Sequence, residues 1–518
     1  MDVLFSILPI VLLFILMLAF KLPGHISALA TLIVTILIAL FLPNQFGFAP
    51  QTYEVSGVWW AVVEGLLKAT FPILIIILMA IYSYNVLLKS GEIEVIKRQF
   101  VSLSDDKGVT VLLLVWGFGG LLEGMAGFGT AVAIPAAILI SLGFKPGFSA
   151  LVSLIANSVP TGFGAVGVPV TTLANEVAET GVATHENLLD ISSKVVVQLS
   201  PLMLILPFII LMLTDHSKKA LVKNILLALW VGVVSLVVQF VSARYLGAET
   251  PAIFGSIASI LAIIIYAKLF TKSGKKEGET TATLKEALRA WSVYFFVLFF
   301  IVISGPLVPA VNTFLKSHLV SQVALPIYAE GKVFSFGWIS NAGLMLFLGT
   351  VIGGLIQGLS FRELMHVLGT TIVNLKKTVV TILSLVSIAS VMSYSGMILV
   401  IATALAEATG AYYPLFAPLI GAIGTFVTGS DTSANILFGK LQANVATQIN
   451  YADPNWLVAA NTAGATGGKI ISPQSIAIAT ASCGMEGEDG KILASALPYA
   501  IGYIVLAGVM VYFSVGII

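Results

Sequence analysis

The run Gly119-Gly-Leu-Leu-Glu-Gly-Met-Ala-Gly-Phe-Gly-Thr130 sets a carboxylate, Glu123, inside an apolar stretch crowded with glycine. A second run, Thr425-Phe-Val-Thr-Gly-Ser-Asp-Thr-Ser433, does the same with Asp431. A carboxylate at the centre of a spanning helix costs roughly 2.5–3.5 kcal/mol on insertion scales, so such a residue is read first as functional. A glycine-broken helix paired with an intramembrane charge, found twice in corresponding halves, is the pattern of a secondary transporter with its site between two repeats.

Composition agrees. Of 518 residues, 58% are hydrophobic and 10% charged, against about 25% charged in a soluble protein. Too few charges remain to cover a soluble surface, which makes this an all-α polytopic membrane protein held in a lipid bilayer. The net charge of +1 gives no reason to expect nucleic acid. A single cysteine, Cys483, excludes an intramolecular disulfide and a Cys-based metal cluster, and no metal site is expected. Asp2 precedes the first apolar run and Lys21 follows it. That reverses the charge order of a signal peptide and places the N-terminus outside.

Apolar segments near the ~20-residue spanning length fall at 3–20, 25–43, 62–88, 190–213, 221–240, 252–270, 290–311, 338–357, 378–405 and 492–516. Two further blocks, 109–178 and 413–482, are apolar but interrupted by Gly, Pro, Asn, Ser and Thr. Non-helical backbone at membrane depth is tolerated only where protein or a water-filled cavity covers it, so these blocks belong at the centre. The expectation is about 12 spanning segments plus re-entrant hairpins. Lys and Arg gather in loops 89–108, 214–223, 268–289 and 358–377, which places those loops in the cytoplasm. Segments 44–61, 241–251 and 312–337, and the C-terminus, then lie outside. Lys272 to Leu284 reads as a linker.

The halves repeat. Glu123-Gly124 aligns with Thr428-Gly429, and Asn157-Ser158 with Asn461-Thr462, at nearly constant offset. Tyr84 and Tyr394 each follow an apolar stretch, but one segment runs towards a basic loop and the other away from one. The repeats are therefore inverted. The division is 1–61, N-terminal scaffold helices; 62–214, first repeat; 215–374, connecting scaffold helices; and 375–518, second repeat. Parity requires an odd number of crossings in 109–178. A re-entrant hairpin (109–142) followed by a broken crossing (147–178) satisfies this, as do three short crossings; Gly127-Phe-Gly129 in mid-block favours the hairpin. The second half mirrors it, with hairpin 413–449 and broken crossing 455–482.

Glu123 and Asp431 are the candidate proton-coupling residues. Glu123 competes with a reading as a protonated acid bonded between helices. Asp431 competes with a reading as an N-cap, because Ser430, Asp431 and Thr432 can all cap the following helix; a helix start at membrane depth is also an anion site. Candidate substrate-binding residues are Gly127, Phe128, Gly129 and Thr130 at the first tip, Asn157, Ser158 and Thr161 in the first broken crossing, and Ser430, Thr432 and Ser433 at the second tip. Asn461, Thr462, Lys469, Ser472, Gln474 and Ser475 in the second broken crossing, with Tyr394, complete the set. Lys469 is the cation that could meet a carboxylate; its competing reading is a snorkelling helix-end lysine. With one such cation, the stretch suits a monocarboxylate. His25, His185, His216, His318 and His366 lie in or near loops and read as solvated.

Two apparent nucleotide motifs fail. Gly162-Phe-Gly-Ala-Val-Gly167 follows no strand, and Pro169 ends it. Gly464-Ala-Thr-Gly-Gly-Lys469 has its first glycine displaced, and Ile470 stands where a Mg²⁺-binding hydroxyl is needed. No ATP, catalytic residue or enzyme activity is expected.

The runs Leu122-Glu-Gly-Met-Ala-Gly-Phe-Gly129 with Gly143-Phe-Lys-Pro146, Gly429-Ser-Asp-Thr-Ser433 and Lys469-Ile-Ile-Ser-Pro-Gln-Ser-Ile-Ala-Ile478 resemble the bacterial L-lactate permease family, which includes glycolate permeases. Ala131, where that family often has Pro, and Lys440, where many members carry a small residue, depart from it. The resemblance implies proton-coupled uptake of L-lactate and related 2-hydroxy monocarboxylates in the bacterial cytoplasmic membrane, with no cofactor beyond the coupling proton. The alternatives are a sodium-coupled carboxylate transporter of the same fold and, in another class, a passive channel or membrane sensor. The oligomeric state stays open, with a homodimer as one arrangement.

Overall fold

The computed structural model describes every residue except 21, 48, 51–52, 102–105, 126, 128, 179–185, 271–282, 306–307, 329–332, 486–487 and 516–518. Most of the linker 272–284 and the candidate Phe128 therefore lie outside the described residues. Among the described residues, nine helices are long and apolar enough to cross a membrane, or up to eleven if two bent pairs each count as one span. Apolar runs of this length become helices because a bilayer leaves backbone N–H and C=O groups no partner but each other.

The scaffold begins with α1 (Asp2–Phe14) and α2 (Gly24–Phe41). Next come α3 (Gly57–Lys68), α4 (Ile75–Ser90) and α5 (Glu92–Val101). The single segment expected at 62–88 is instead a longer run that starts at Gly57 and kinks at Phe71, whose backbone is extended (φ −133, ψ 119). Proline bars the residue before it from helical geometry, and Pro72 follows.

The first half continues with α6 (Lys107–Met125), α7 (Thr130–Ser141), α8 (Pro146–Thr161) and α9 (Gly164–Ala178). Helices α6 and α7 form a hairpin turned by Gly127 (φ +63) and Gly129 (φ +86). Helices α8 and α9 are one crossing bent by 47°. At the bend Ala165, Val166 and Gly167 are left-handed.

The connecting helices are α10 (Glu186–Thr214), α11 (Lys218–Tyr245), α12 (Pro251–Phe270), α13 (Leu284–Ala290), α14 (Ser292–Ser304) and α15 (Pro309–Ser317). A short antiparallel hairpin, β1 (Val320–Val323) and β2 (Phe334–Gly337), interrupts the helices before α16 (Ala342–Ile356) and α17 (Phe361–Asn374).

The segment expected at 378–405 is two helices, α18 (Lys376–Tyr394) and α19 (Met397–Thr409), parted at Gly396 (φ +84). Gly91 (φ +75) parts α4 from α5 in the same way, and the two glycines stand 305 positions apart. The second half closes with α20 (Tyr413–Thr428), α21 (Asp431–Gln448), α22 (Pro454–Lys469), α23 (Pro473–Ser482) and α24 (Asp489–Phe513). In α22, a Cβ on Gly464 would lie 1.6 Å from Pro418 O. Only glycine lets α20 and α22 pack backbone to backbone here.

The hairpins enter from opposite faces. At one face Asp106 caps α6 through Gly108 N (2.9 Å) and pairs with Lys223 at the start of α11 (2.7 Å). Helix α10 crosses from there to the other face, where Lys194 bonds Asp190 (2.6 Å) and Asp453 (2.8 Å), the cap of α22. The packing is reciprocal: α9 lies on α21, α7 lies on α23, and α8 meets α22 at the centre. All four hairpin tips and helix breaks thus converge at mid-depth.

Candidate functional site

A cavity of about 450 Å³ opens where these tips and breaks meet. Its lining includes Glu123 and Gly127 from the first tip, Thr161 and Gly164 from the first break, Ser430, Asp431, Thr432 and Ser433 from the second tip, and Lys469 and Gln474 from the second break. It extends to His25 at the start of α2 and to Lys377 and Thr378 at the start of α18. That end lies on the Asp106 face, since Gln357, ahead of α17, accepts from Ser90, which ends α4 (2.8 Å).

Both carboxylates are buried. Ser430, not Asp431, caps α21, its hydroxyl accepting from Ser433 N (3.2 Å). Asp431 is left to accept from Thr161 in the other half (2.8 Å). Its second oxygen, Oδ1, and Glu123 Oε2 have no hydrogen-bond partner among the described residues. Lys469 Nζ donates to Gly429 O (2.5 Å), and its charge acts on both Glu123 and Asp431. Lys469 is therefore a member of the cluster and not a lysine reaching for the interface. Glu123 is flanked by Gly164, on which a Cβ would lie 2.6 Å from Oε1.

The other expected residues separate into two groups. Some stand in the wall behind the cavity. Asn157 is buried beside Glu123, and within hydrogen-bond geometry neither amide atom has a partner among the described residues. Ser158 donates to Ile155 O (2.7 Å) and Thr130 to Gly127 O (2.9 Å). Gly129 packs on Ile478. Ser472 caps α23 through Ser475 N (3.2 Å) and donates to the Ser475 hydroxyl (2.8 Å).

Others hold the fold at a distance from the cavity. Asn461 donates to Asn435 Oδ1 (2.9 Å) and accepts from Gln442 (3.1 Å), while Thr462 accepts from Asn435 (2.9 Å). Tyr394 is not in the cavity: its hydroxyl sits on the Glu54 backbone, accepting from N (3.1 Å), and its ring packs on Tyr53 at 5.4 Å. The apparent Rossmann-like run 162–167 is the helix break itself.

Sequence reading missed Gly164, Lys377, Thr378 and Asn435, and it took His25 for a solvated loop residue. His25 lies in the first turn of α2 and lines the cavity. Only the tertiary apposition of α2 and α18 brings it there. Asn435 donates to Pro169 O (2.9 Å), the carbonyl that follows the left-handed turn. Its position one helical turn after Asp431 was the available signal.

A second cavity, about 830 Å³, approaches from the Asp453 face and is lined by Ile76, Thr171, Glu176 and Glu249 among others. The first cavity reaches Ile77 and Pro169. The two meet α4 and α9 from opposite sides, with little more than neighbouring residues between them.

The family model for L-lactate permease matches residues 2–518. The chain is 39% identical over 456 residues to the L-lactate permease of Streptococcus iniae, covering 88% of this chain and 92% of that one. It is 33% identical over 553 residues to the glycolate permease GlcA of Escherichia coli (strain K12), covering 98% and 95%. Among solved structures it resembles the Alcanivorax borkumensis YdaH transporter (TM-score 0.53, 14% identity, 95% of this chain and 98% of that one). It also resembles Neisseria gonorrhoeae MtrF (TM-score 0.51, 14% identity, 94% of each). Those two likenesses concern the fold alone. The match along the whole chain, together with the glycine-broken hairpins that carry Glu123 and Asp431, makes this protein a member of the L-lactate permease family.

Proposed function

We propose that this permease carries L-lactate and related 2-hydroxy monocarboxylates, glycolate included, with a proton, by alternating access. The observation that carries the reading is Lys469 facing Glu123 and Asp431 at one cavity. Lys377, at the Asp106 end of the cavity, is exposed. Counted formally, Lys469 and the two buried carboxylates make one net negative charge. A substrate anion alone would add a second, and an uncompensated buried charge costs several kcal/mol. A proton taken up with each anion leaves the buried charge unchanged, which couples the two. The volume of about 450 Å³ lies within the range of small-molecule sites.

Two cavities that end against the same short stretch of α4 and α9 support alternating access over an open pore. On the distribution of Lys and Arg, the Asp106 face is cytoplasmic in the bacterial membrane and both termini lie outside. A sodium-coupled version of the same transporter is the second reading. It is favoured by the Asn157 amide beside Glu123, which has no hydrogen-bond partner among the described residues, and by the left-handed turn at Ala165.

The test is radiolabelled L-lactate uptake into proteoliposomes under an inward proton gradient without sodium. Concentrative uptake that a protonophore abolishes supports the proton reading. Uptake that appears only after sodium is added replaces it with the second.

A further inference from the structure

The left-handed turn in the first broken crossing is covered on both sides. On the substrate side, Gly164 touches Glu123, whose Oε1 would lie 2.6 Å from an added Cβ. On the other side, a Cβ on Gly167 would lie 2.1 Å from Ala248 O and 2.8 Å from Glu249 N. Four residues of backbone, 164–167, therefore separate the Glu123 carboxylate from the loop between α11 and α12. That loop is held by Thr250, whose hydroxyl bonds Ser242 (2.7 Å). Its Glu249 side chain lines the cavity of about 830 Å³ on the Asp453 face.

We infer that Glu249 is the proton-loading carboxylate of the Asp453 face, taking protons from the medium and passing them to Glu123 across this turn. The inference rests on the proton-coupled reading above. Other charged groups around the same cavity are engaged elsewhere: Lys68 pairs with Glu64 (3.0 Å) and Glu176 with Lys440 (3.5 Å). Tyr328 also lines it, and Lys316 on α15 is the cation whose charge acts on Glu249. Glu249 is partly exposed to the cavity. Burial of its carboxyl pushes it above the usual carboxylate range, with Lys316 opposing. Such a group gains and loses protons nearer neutrality than a solvated glutamate.

The transfer balances. A hydronium ion gives its proton to the Glu249 carboxylate and leaves as water. The O–H bond at Glu249 then breaks as one forms at Glu123, and Glu249 returns to an anion beside Lys316. Motion of the turn brings the two groups together. Ala165 (φ 44) and Val166 (φ 59) hold it in a conformation that non-glycine residues sustain only under restraint, so it is the segment with most to gain by moving.

The experiment uses oriented membrane vesicles, with the pH varied on the Asp453 face and fixed on the other. Loss of a positioned proton-transfer group lowers rates about a hundredfold. Glu249→Gln is therefore expected to cut net L-lactate uptake by that order and to flatten its dependence on pH. Exchange of labelled for unlabelled L-lactate at equal pH, which needs no net proton loading, should fall far less. Glu249→Asp should keep the pH profile. Lys316→Ala should move its midpoint to higher pH, because a nearby cation favours the ionised acid.

A Glu249→Gln protein with the wild-type pH profile overturns the inference. So does a parallel fall in uptake and exchange, which would mark Glu249 as structural. Wild-type uptake indifferent to the proton gradient would remove the symport reading and this inference with it.

Discussion

Thr161, at the end of α8, donates a 2.8 Å hydrogen bond to Asp431, the first residue of α21. It joins the broken crossing of one half to the hairpin tip of the other, at the wall of the cavity of about 450 Å³. Asp431 Oδ1 already lacks a hydrogen-bond partner among the described residues. Thr161→Val would leave the whole carboxylate unsatisfied, at about 1–3 kcal/mol. L-lactate KM is expected to rise about tenfold on that cost, while Thr161→Ser should stay near wild type. Equal KM values for Val and Ser variants would show that the bond does not bear on binding.

The charge of Lys469 acts on both Glu123 and Asp431. Truncating one member of a buried charge group costs about 2–5 kcal/mol. Lys469→Gln should therefore lower uptake at least about thirtyfold on that scale. Lys469→Arg should not restore it, because a planar guanidinium cannot occupy the place of a compact ammonium donating to Gly429 O. Wild-type uptake by the Gln variant would remove Lys469 from the site.

The carboxylates have separable consequences. In Glu123→Gln/Asp431→Asn, no carboxylate lining the cavity is left to take a proton with the anion, so uptake driven by a pH gradient should vanish. Exchange at equal pH should survive in whichever single variant keeps the substrate contacts. Gradient-driven uptake by the double variant would end the proton-coupling proposal.

The parts of this site that were legible in the sequence share one property: they break a pattern. Glycines at 127, 129 and 429 interrupt apolar runs, and each takes a positive φ at a hairpin tip. The offset between Asn157 and Asn461 located both broken crossings, although the pair has diverged. Asn461 is bonded to Asn435 and Gln442, whereas Asn157 has no hydrogen-bond partner among the described residues. Asp431 could be read as cap or coupling group because residue type permits both; in the structure Ser430 makes the capping hydrogen bond. The kink at Phe71 was signalled by Pro72 but lost inside a uniformly apolar run. His25 and Lys377 left no local trace, because their place at the cavity depends on how α2 and α18 pack. Tyr394 shows the converse, a landmark of the repeat that packs against the N-terminal scaffold instead.

Lys440 pairs with Glu176 at 3.5 Å, and both side chains are almost wholly buried. The pair ties α21 to α9 at the Asp453 end, as Asp431 and Thr161 tie α21 to α8, the other arm of the same broken crossing, at the cavity. Removing one member of a buried pair costs about 3–5 kcal/mol, because the other charge stays buried, whereas replacing both with apolar groups is often neutral. Lys440→Met alone should therefore lower the Tm of the detergent-solubilised protein measurably, and Lys440→Met/Glu176→Leu should recover most of the loss. Transport separates this from simple packing. Movement of α9 away from α21 would open the Asp453 side, so the double variant, freed of an ionic latch, should show faster L-lactate exchange than the wild type. A double variant as unstable as the single one would show that the pair is not the latch.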